Sequence, residues 1–251
     1  MTGFDPDNGL VKAVHPSPNH GARRIKGPDS IVLHYTGMPS GAAALVRLCD
    51  PAAEVSAHYF IDEDGGIVQL VPEARRAWHA GQSCWGGEED MNSASIGIEL
   101  QNGGHEFGAP AYPEAQIEAL IALCRDITRR HAIMPARILA HSDIAPGRKI
   151  DPGEYFPWSK LAEAGVGLCV PPHPIGDDVP LERGASGEKV EELQAMLAAY
   201  GYDIEVTGRY GEKTEAVVAA FQRHFRPARV DGKADRSTVE TLREVIDSLP
   251  K

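Results

Sequence analysis

Two apolar runs constrain this chain most: residues 30–36, SIVLHYT, and residues 95–100, SIGIEL. Both are β-rich and close on glycine-containing turns, so both predict strands buried inside a sheet. Helical and strand signals alternate around them. GAAALVRLCD (41–50) has helical composition and stops at Pro51, while AHYFI (57–61) and GIVQLV (66–71) flank DEDG, a hairpin signal. The longest helix is expected over 113–131, with Ile117, Leu120, Ile121, Cys124 and Ile127 on one stripe. Pro113 suits its N1 position, and Arg129, Arg130 and His131 suit the negative end of its dipole. A short strand over 137–141 then feeds a long loop, 142–153, and a short helix near 158–164. This order predicts an α/β domain with a central sheet flanked by helices, the hairpin making that sheet mixed.

The pattern changes at residue 165. GVGLCVPPHPIGDDVP carries four prolines and little periodicity, which marks a linker over 166–180. Three short amphipathic stripes follow: Val190, Leu193, Leu197 and Tyr200; Val217, Val218, Phe221 and Phe225; Val239, Leu242, Ile246 and Leu249. Asp231-Gly232 reads as a turn and Asp235 as the N-cap of the last helix. The expected organisation is a domain over 1–165 with an irregular arm over 1–28, the linker, and a small three-helix domain over 181–251.

A net charge of −11 argues against a nucleic-acid partner, which calls for a basic face. No apolar run reaches the ~20 residues of a membrane span, and MTGFDPDNGL has neither the basic start nor the apolar stretch of a signal peptide. On the chain as written the expectation is a cytoplasmic monomer, or a periplasmic one if a leader was removed. The four cysteines, Cys49, Cys84, Cys124 and Cys169, form no C-x-x-C pair and are read as ordinary thiols.

Ten histidines invite a metal hypothesis. His15 and His20 lie in the arm, His105 in a glycine-rich loop, His173 in the linker, His224 in the helical unit and His131 at a helix end, all places with an ordinary explanation. His34 and His141 end apolar strands, where an unpaired imidazole is costly. Taken singly, a strand histidine is more often core than ligand. Asp151, in a loop shaped by Pro146, Gly147 and Pro152, changes the comparison. Two imidazoles and a carboxylate leave a tetrahedral zinc one open position for water, as catalytic sites require. Glu99 is the lone charge of its strand and could move the proton of that water; Lys149 could steady an oxyanion, or be an exposed loop lysine.

IVLHYTG, SAHYFIDEDG, AWHAG, SIGIELQN and AHSDIAPGRKIDPG, in this order, resemble the zinc-dependent N-acetylmuramoyl-L-alanine amidases of the AmpD/AmiD type, a fold shared with the peptidoglycan recognition proteins. The resemblance covers about residues 15–165, and SPNHGARR favours the AmiD branch. It implies one catalytic zinc on His34, His141 and Asp151, with Glu99 and Lys149 as the catalytic pair. It also implies that His58 and His79 line the substrate groove, with Trp78 helping to shape it. Over 181–249, LERGASGEKVEELQAMLAAYGY, TGRYGEKTEAVVAAFQ and VDGKADRSTVETL resemble the peptidoglycan-binding module found beside wall hydrolases. The implied substrate is peptidoglycan or a muropeptide, cut between N-acetylmuramic acid (intact or 1,6-anhydro) and L-alanine during wall turnover or recycling. The competing expectations are a non-catalytic peptidoglycan sensor and a zinc peptidase that cuts within the stem.

Overall fold

A computed structural model describes residues 3–249. Met1, Thr2, Pro250 and Lys251, the outer ends of the expected arm and helical unit, lie outside the described residues. The first part of the chain runs β1 (Ala13–Val14), β2 (His20–Ala22), β3 (Ser30–Tyr35), α1 (Gly41–Cys49), β4 (Tyr59–Ile61), β5 (Ile67–Gln69) and β6 (Arg75–Ala77). It continues through α2 (Met91–Ala94), β7 (Ser95–Leu100), α3 (Glu114–His131), β8 (Ile138–Ala140), α4 (His141–Ile144) and α5 (Trp158–Glu163). Among the described residues, six strands form the main sheet in the order β1-β5-β4-β7-β3-β8. Only β4 and β5 pair antiparallel within it, so the sheet is mixed, as the DEDG hairpin predicts. Gly65 makes that hairpin possible: its φ is +83°, and a Cβ there would meet the Ala115 carbonyl at 2.7 Å.

The period-2 alternation of the central strands sorts their side chains onto two faces. Ile31, Leu33, Ile96, Ile98 and Leu100 pack against Ile117, Leu120, Leu123, Cys124 and Ile127 of α3. The opposite face receives Val32 and Leu139, which join another core cluster, together with His34 and Glu99. Register places His34 directly opposite Glu99 on the adjacent parallel strand. The two polar intruders of the apolar runs are therefore neighbours by construction.

After α5 the chain takes no helix until α6 (Glu188–Tyr200), α7 (Glu212–Phe225) and α8 (Arg236–Asp247). Asp235 caps α8, its carboxylate accepting from Thr238 N at 2.8 Å. These helices share one apolar core with Trp85, Ile144 and Ala145 of the first part. Trp85 meets the rings of Tyr200 and Tyr202 at 5.2 and 5.0 Å, and Gly86 N donates to Gly201 O at 2.8 Å. An apolar joint of this kind holds two units as one body better than the polar interfaces that permit domain motion.

Several expectations need correction. The arm is not wholly irregular: β1 extends the main sheet at its edge, and β2 pairs with β6 in a separate ribbon. Strands of two and three residues leave no alternation to read. Pro113 is the N-cap of α3 rather than N1, with extended ψ of 146°. Ile121 is only half-buried, while Leu123 and Gln116 fill the buried face, Gln116 donating to the carbonyls of Ile61 and Gln101. In the last helix Leu242 and Val245 are the buried pair, and Leu249 lies beyond the helix end. Arg137 sits in a 3-10 turn, and His141 opens a helical turn instead of ending the strand. All four cysteines are free thiols. Among the described residues no helix is long and apolar enough to cross a membrane.

Candidate active site

Three donor atoms converge on the sheet face opposite α3. His34 Nδ1 lies 2.9 Å from His141 Nδ1, and each lies 3.0 Å from Asp151 Oδ2. Their residues are 1%, 3% and 7% exposed. Strand β3 supplies the first, the start of α4 the second, and the loop after α4 the third. Ser142 N donates to Asp151 O at 3.0 Å, and Lys149 N to Ala145 O at 3.0 Å, so the loop is pinned back onto α4.

The hydrogen bonds behind each imidazole assign its proton. Ser95 Oγ donates to the Met91 carbonyl, which leaves its lone pair for His79 Nε2–H at 3.3 Å. His79 Nδ1 then accepts from His34 Nε2–H at 3.0 Å, and His34 Nδ1 is left with a bare lone pair. His141 Nε2–H donates to Ala80 O at 3.1 Å, so its Nδ1 is bare too. Burial, followed by the neighbouring His141, brings the His34 pKa down to about 4, which keeps the ring neutral. Two lone pairs and an anionic oxygen facing one another in a buried place repel unless a cation sits among them. The nitrogen–nitrogen–oxygen set suits a divalent metal of zinc's kind. Among the described residues this is the group of three side chains able to hold a metal.

The three donors open into a cavity of about 220 Å³ that Glu99, Lys149, Trp78 and His79 also line. Glu99 Oε2 is buried and has no hydrogen-bond partner. Burial raises its pKa well above the usual carboxylate range, the charge of Asp151 raises it further, and Lys149 opposes both. A carboxyl in this state is suited to taking and returning a proton.

His58 does not line the cavity, which corrects the groove role expected of it. It is fully buried: Nδ1 accepts from Gly97 N at 3.0 Å, and Nε2 lies 3.0 Å from both the Arg75 carbonyl and Arg23. Burial and then Arg23 hold its pKa near 3. Gly97 explains part of the arrangement, since a Cβ there would run into the His79 ring. His131 answers to more than the helix dipole, as its Nε2 lies 2.7 Å from Glu73 Oε2. Cavity-lining Tyr35 and Arg47 drew no attention in the sequence, and Tyr35 Oη is 3.2 Å from His105 Nδ1. Nothing in the composition of α1 flags Arg47. His224, expected to be an ordinary histidine of the helical unit, reaches Asp143 beside the metal-type cluster at 2.7 Å.

The family model described as N-acetylmuramoyl-L-alanine amidase matches residues 23–154, more than half of the chain. The AmiD amidase of Escherichia coli (strain K12) is 40% identical over 223 residues, covering 83% of this chain and 78% of that one. This chain belongs to the N-acetylmuramoyl-L-alanine amidase family. A second family model, a peptidoglycan binding domain, matches residues 186–242 of the amidase. The 1,6-anhydro-N-acetylmuramyl-L-alanine amidase AmpD of Enterobacter cloacae is 38% identical but covers only 62% of this chain and 91% of its own length. The solved complex of E. coli AmiD with anhydro-N-acetylmuramic acid-L-Ala-D-gamma-Glu-L-Lys superposes with a TM-score of 0.74 at 36% identity, covering 88% of this chain and 89% of that one. The amidase thus resembles AmiD through both of its parts and AmpD through the first.

Proposed function

We propose that this amidase uses one zinc ion, held by His34, His141 and Asp151, to hydrolyse the bond between N-acetylmuramic acid and L-alanine in peptidoglycan fragments. The observation that carries the reading is the convergence of three bare donor atoms on a cavity that also holds an unpartnered carboxylate, Glu99. Zinc bound there supplies Lewis acidity, which makes water nucleophilic at neutral pH. Glu99 takes the proton of the attacking water and passes it to the alanine nitrogen as the carbon–nitrogen bond breaks and the new carbon–oxygen bond forms. Lys149 steadies the negative charge that builds on the carbonyl oxygen. His79 orients His34 from behind, and Trp78 and His79 form the wall against which the sugar or stem lies.

Residues 1–165 carry the reaction, 166–180 connect, and 181–251 bind wall polymer; the second family match, over 186–242, supports that last role. The proposed catalytic groups all lie within one copy of the chain, so the reaction as proposed needs no second subunit and a monomer suffices for it. Relatives bound to or named for anhydro-muramyl peptides support the recycled 1,6-anhydro fragment as a substrate. Mass spectrometry of a muropeptide digest tests the reading. Free stem peptide beginning with L-alanine is expected; fragments cut within the stem indicate a peptidase, and an untouched substrate a sensor. Digesting anhydro-muropeptide and whole sacculi side by side separates cytoplasmic recycling from wall turnover outside the cytoplasm.

A further inference from the structure

Asp143 is 0% exposed and belongs to neither the ligand set nor the cavity lining. Its carboxylate takes three hydrogen bonds. Ala140 N donates to Oδ2 at 2.8 Å, which closes the entry to α4. The other two cross from the C-terminal unit: Tyr202 Oη–H donates to Oδ1 at 2.8 Å, and His224 Nδ1 lies 2.7 Å from Oδ2. Both crossing groups are held in place. The His224 ring is stacked between Trp158 at 3.7 Å and Phe225 at 4.0 Å, and Tyr202 packs edge-on to Trp85 at 5.0 Å. His224 Nε2 is buried without a partner, so the ring's one polar bond is the one to Asp143.

The helix so gripped is four residues long, and its first residue is His141. A single turn has no stability of its own and takes the orientation that its tertiary contacts impose. We infer that the C-terminal unit is a positioning element of the metal site: Tyr202 and His224 hold Asp143, and Asp143 holds the turn that aims His141 Nδ1 at His34 and Asp151. The unit then has a task in the catalytic half, separate from any binding of wall polymer. Outer partners of metal ligands commonly alter metal affinity by 10- to 100-fold on removal.

The inference rests on the zinc ligands assigned above, and its test separates the two. Zinc dissociation constants are measured on the full chain by competition with a chelating dye, alongside melting temperatures. Tyr202→Phe and His224→Leu are expected to weaken zinc binding about ten-fold. His224→Asn, whose amide nitrogen stands near the place of Nδ1, is expected to stay close to the unaltered chain. Val245→Ala, buried in α8 and making no bond to Asp143, is expected to lower the melting temperature and leave zinc affinity unchanged. Wild-type affinity in Tyr202→Phe and His224→Leu overturns the inference, as does a His224→Asn as weak as His224→Leu or a Val245→Ala as weak as either. A wild-type chain that binds no zinc overturns the ligand assignment itself.

Discussion

Two carboxylates, the buried Glu73 and the half-buried Glu99 with its buried Oε2, stand in opposite states within one domain. Glu73 is surrounded by donors: Tyr59 Oη–H at 2.6 Å, Arg130 through two nitrogens, and His131 at 2.7 Å. Burial raises its pKa, but those hydrogen bonds outweigh burial and bring it down to about 2. Glu99 has an oxygen with no partner, and the same desolvation drives its pKa up unopposed except by Lys149. A carboxylate whose lone pairs are all matched is scaffold; one left unmatched beside three converging donors is poised for chemistry. The same contrast separates the histidines. His58 is enclosed by protein groups, whereas His34 and His141 each spend one nitrogen on orientation and keep the other bare.

The largest effect should come from the bare donors. Asp151→Ala or His34→Ala is expected to lose zinc and turnover together, read by metal analysis and muropeptide digestion; activity surviving without metal would break the comparison. Glu99→Gln should lower turnover by roughly 10²- to 10⁴-fold while zinc stays bound. Its melting temperature should hold, because a neutral amide of the same shape replaces a carboxyl whose Oε2 already lacks a partner. Glu73→Gln should do the reverse, with turnover kept below the melting transition and about 3 kcal/mol of stability lost. The smallest effect is a pH dependence. The Glu73 pKa is depressed on folding, so its stabilisation is complete above the usual carboxylate pKa and fades as pH falls towards about 2. Lowering pH from 4.5 to 3 should remove about 1.5 kcal/mol through this residue, and Glu73→Gln should abolish that portion in a denaturant titration.

Much of the site could be read from the chain because its polar residues interrupt apolar runs of known period. In SIVLHYT and SIGIEL, alternation alone puts His34 on the face away from Ile31 and Leu33, and Glu99 on the face away from Ile98. Asp151 was legible from a loop shaped by proline and glycine, and from kinship. His58 was misplaced because a motif match reports a position in a family and not which way a ring faces. The bridge from Asp143 to Tyr202 and His224 spans 59 and 81 residues, and no local pattern announces a bond of that range. Strands β1 and β2 were invisible for a different reason: at two and three residues they exist only through pairing with β5 and β6.

The most direct test is a zinc titration of metal-free protein against anhydro-muropeptide, with released stem peptide followed by mass spectrometry. Turnover should rise in proportion to added zinc and level off at one equivalent per chain, and Asp151→Ala should stay inactive at every zinc level. Full turnover in the presence of excess chelator, or an Asp151→Ala variant that titrates like the unaltered chain, would contradict the account.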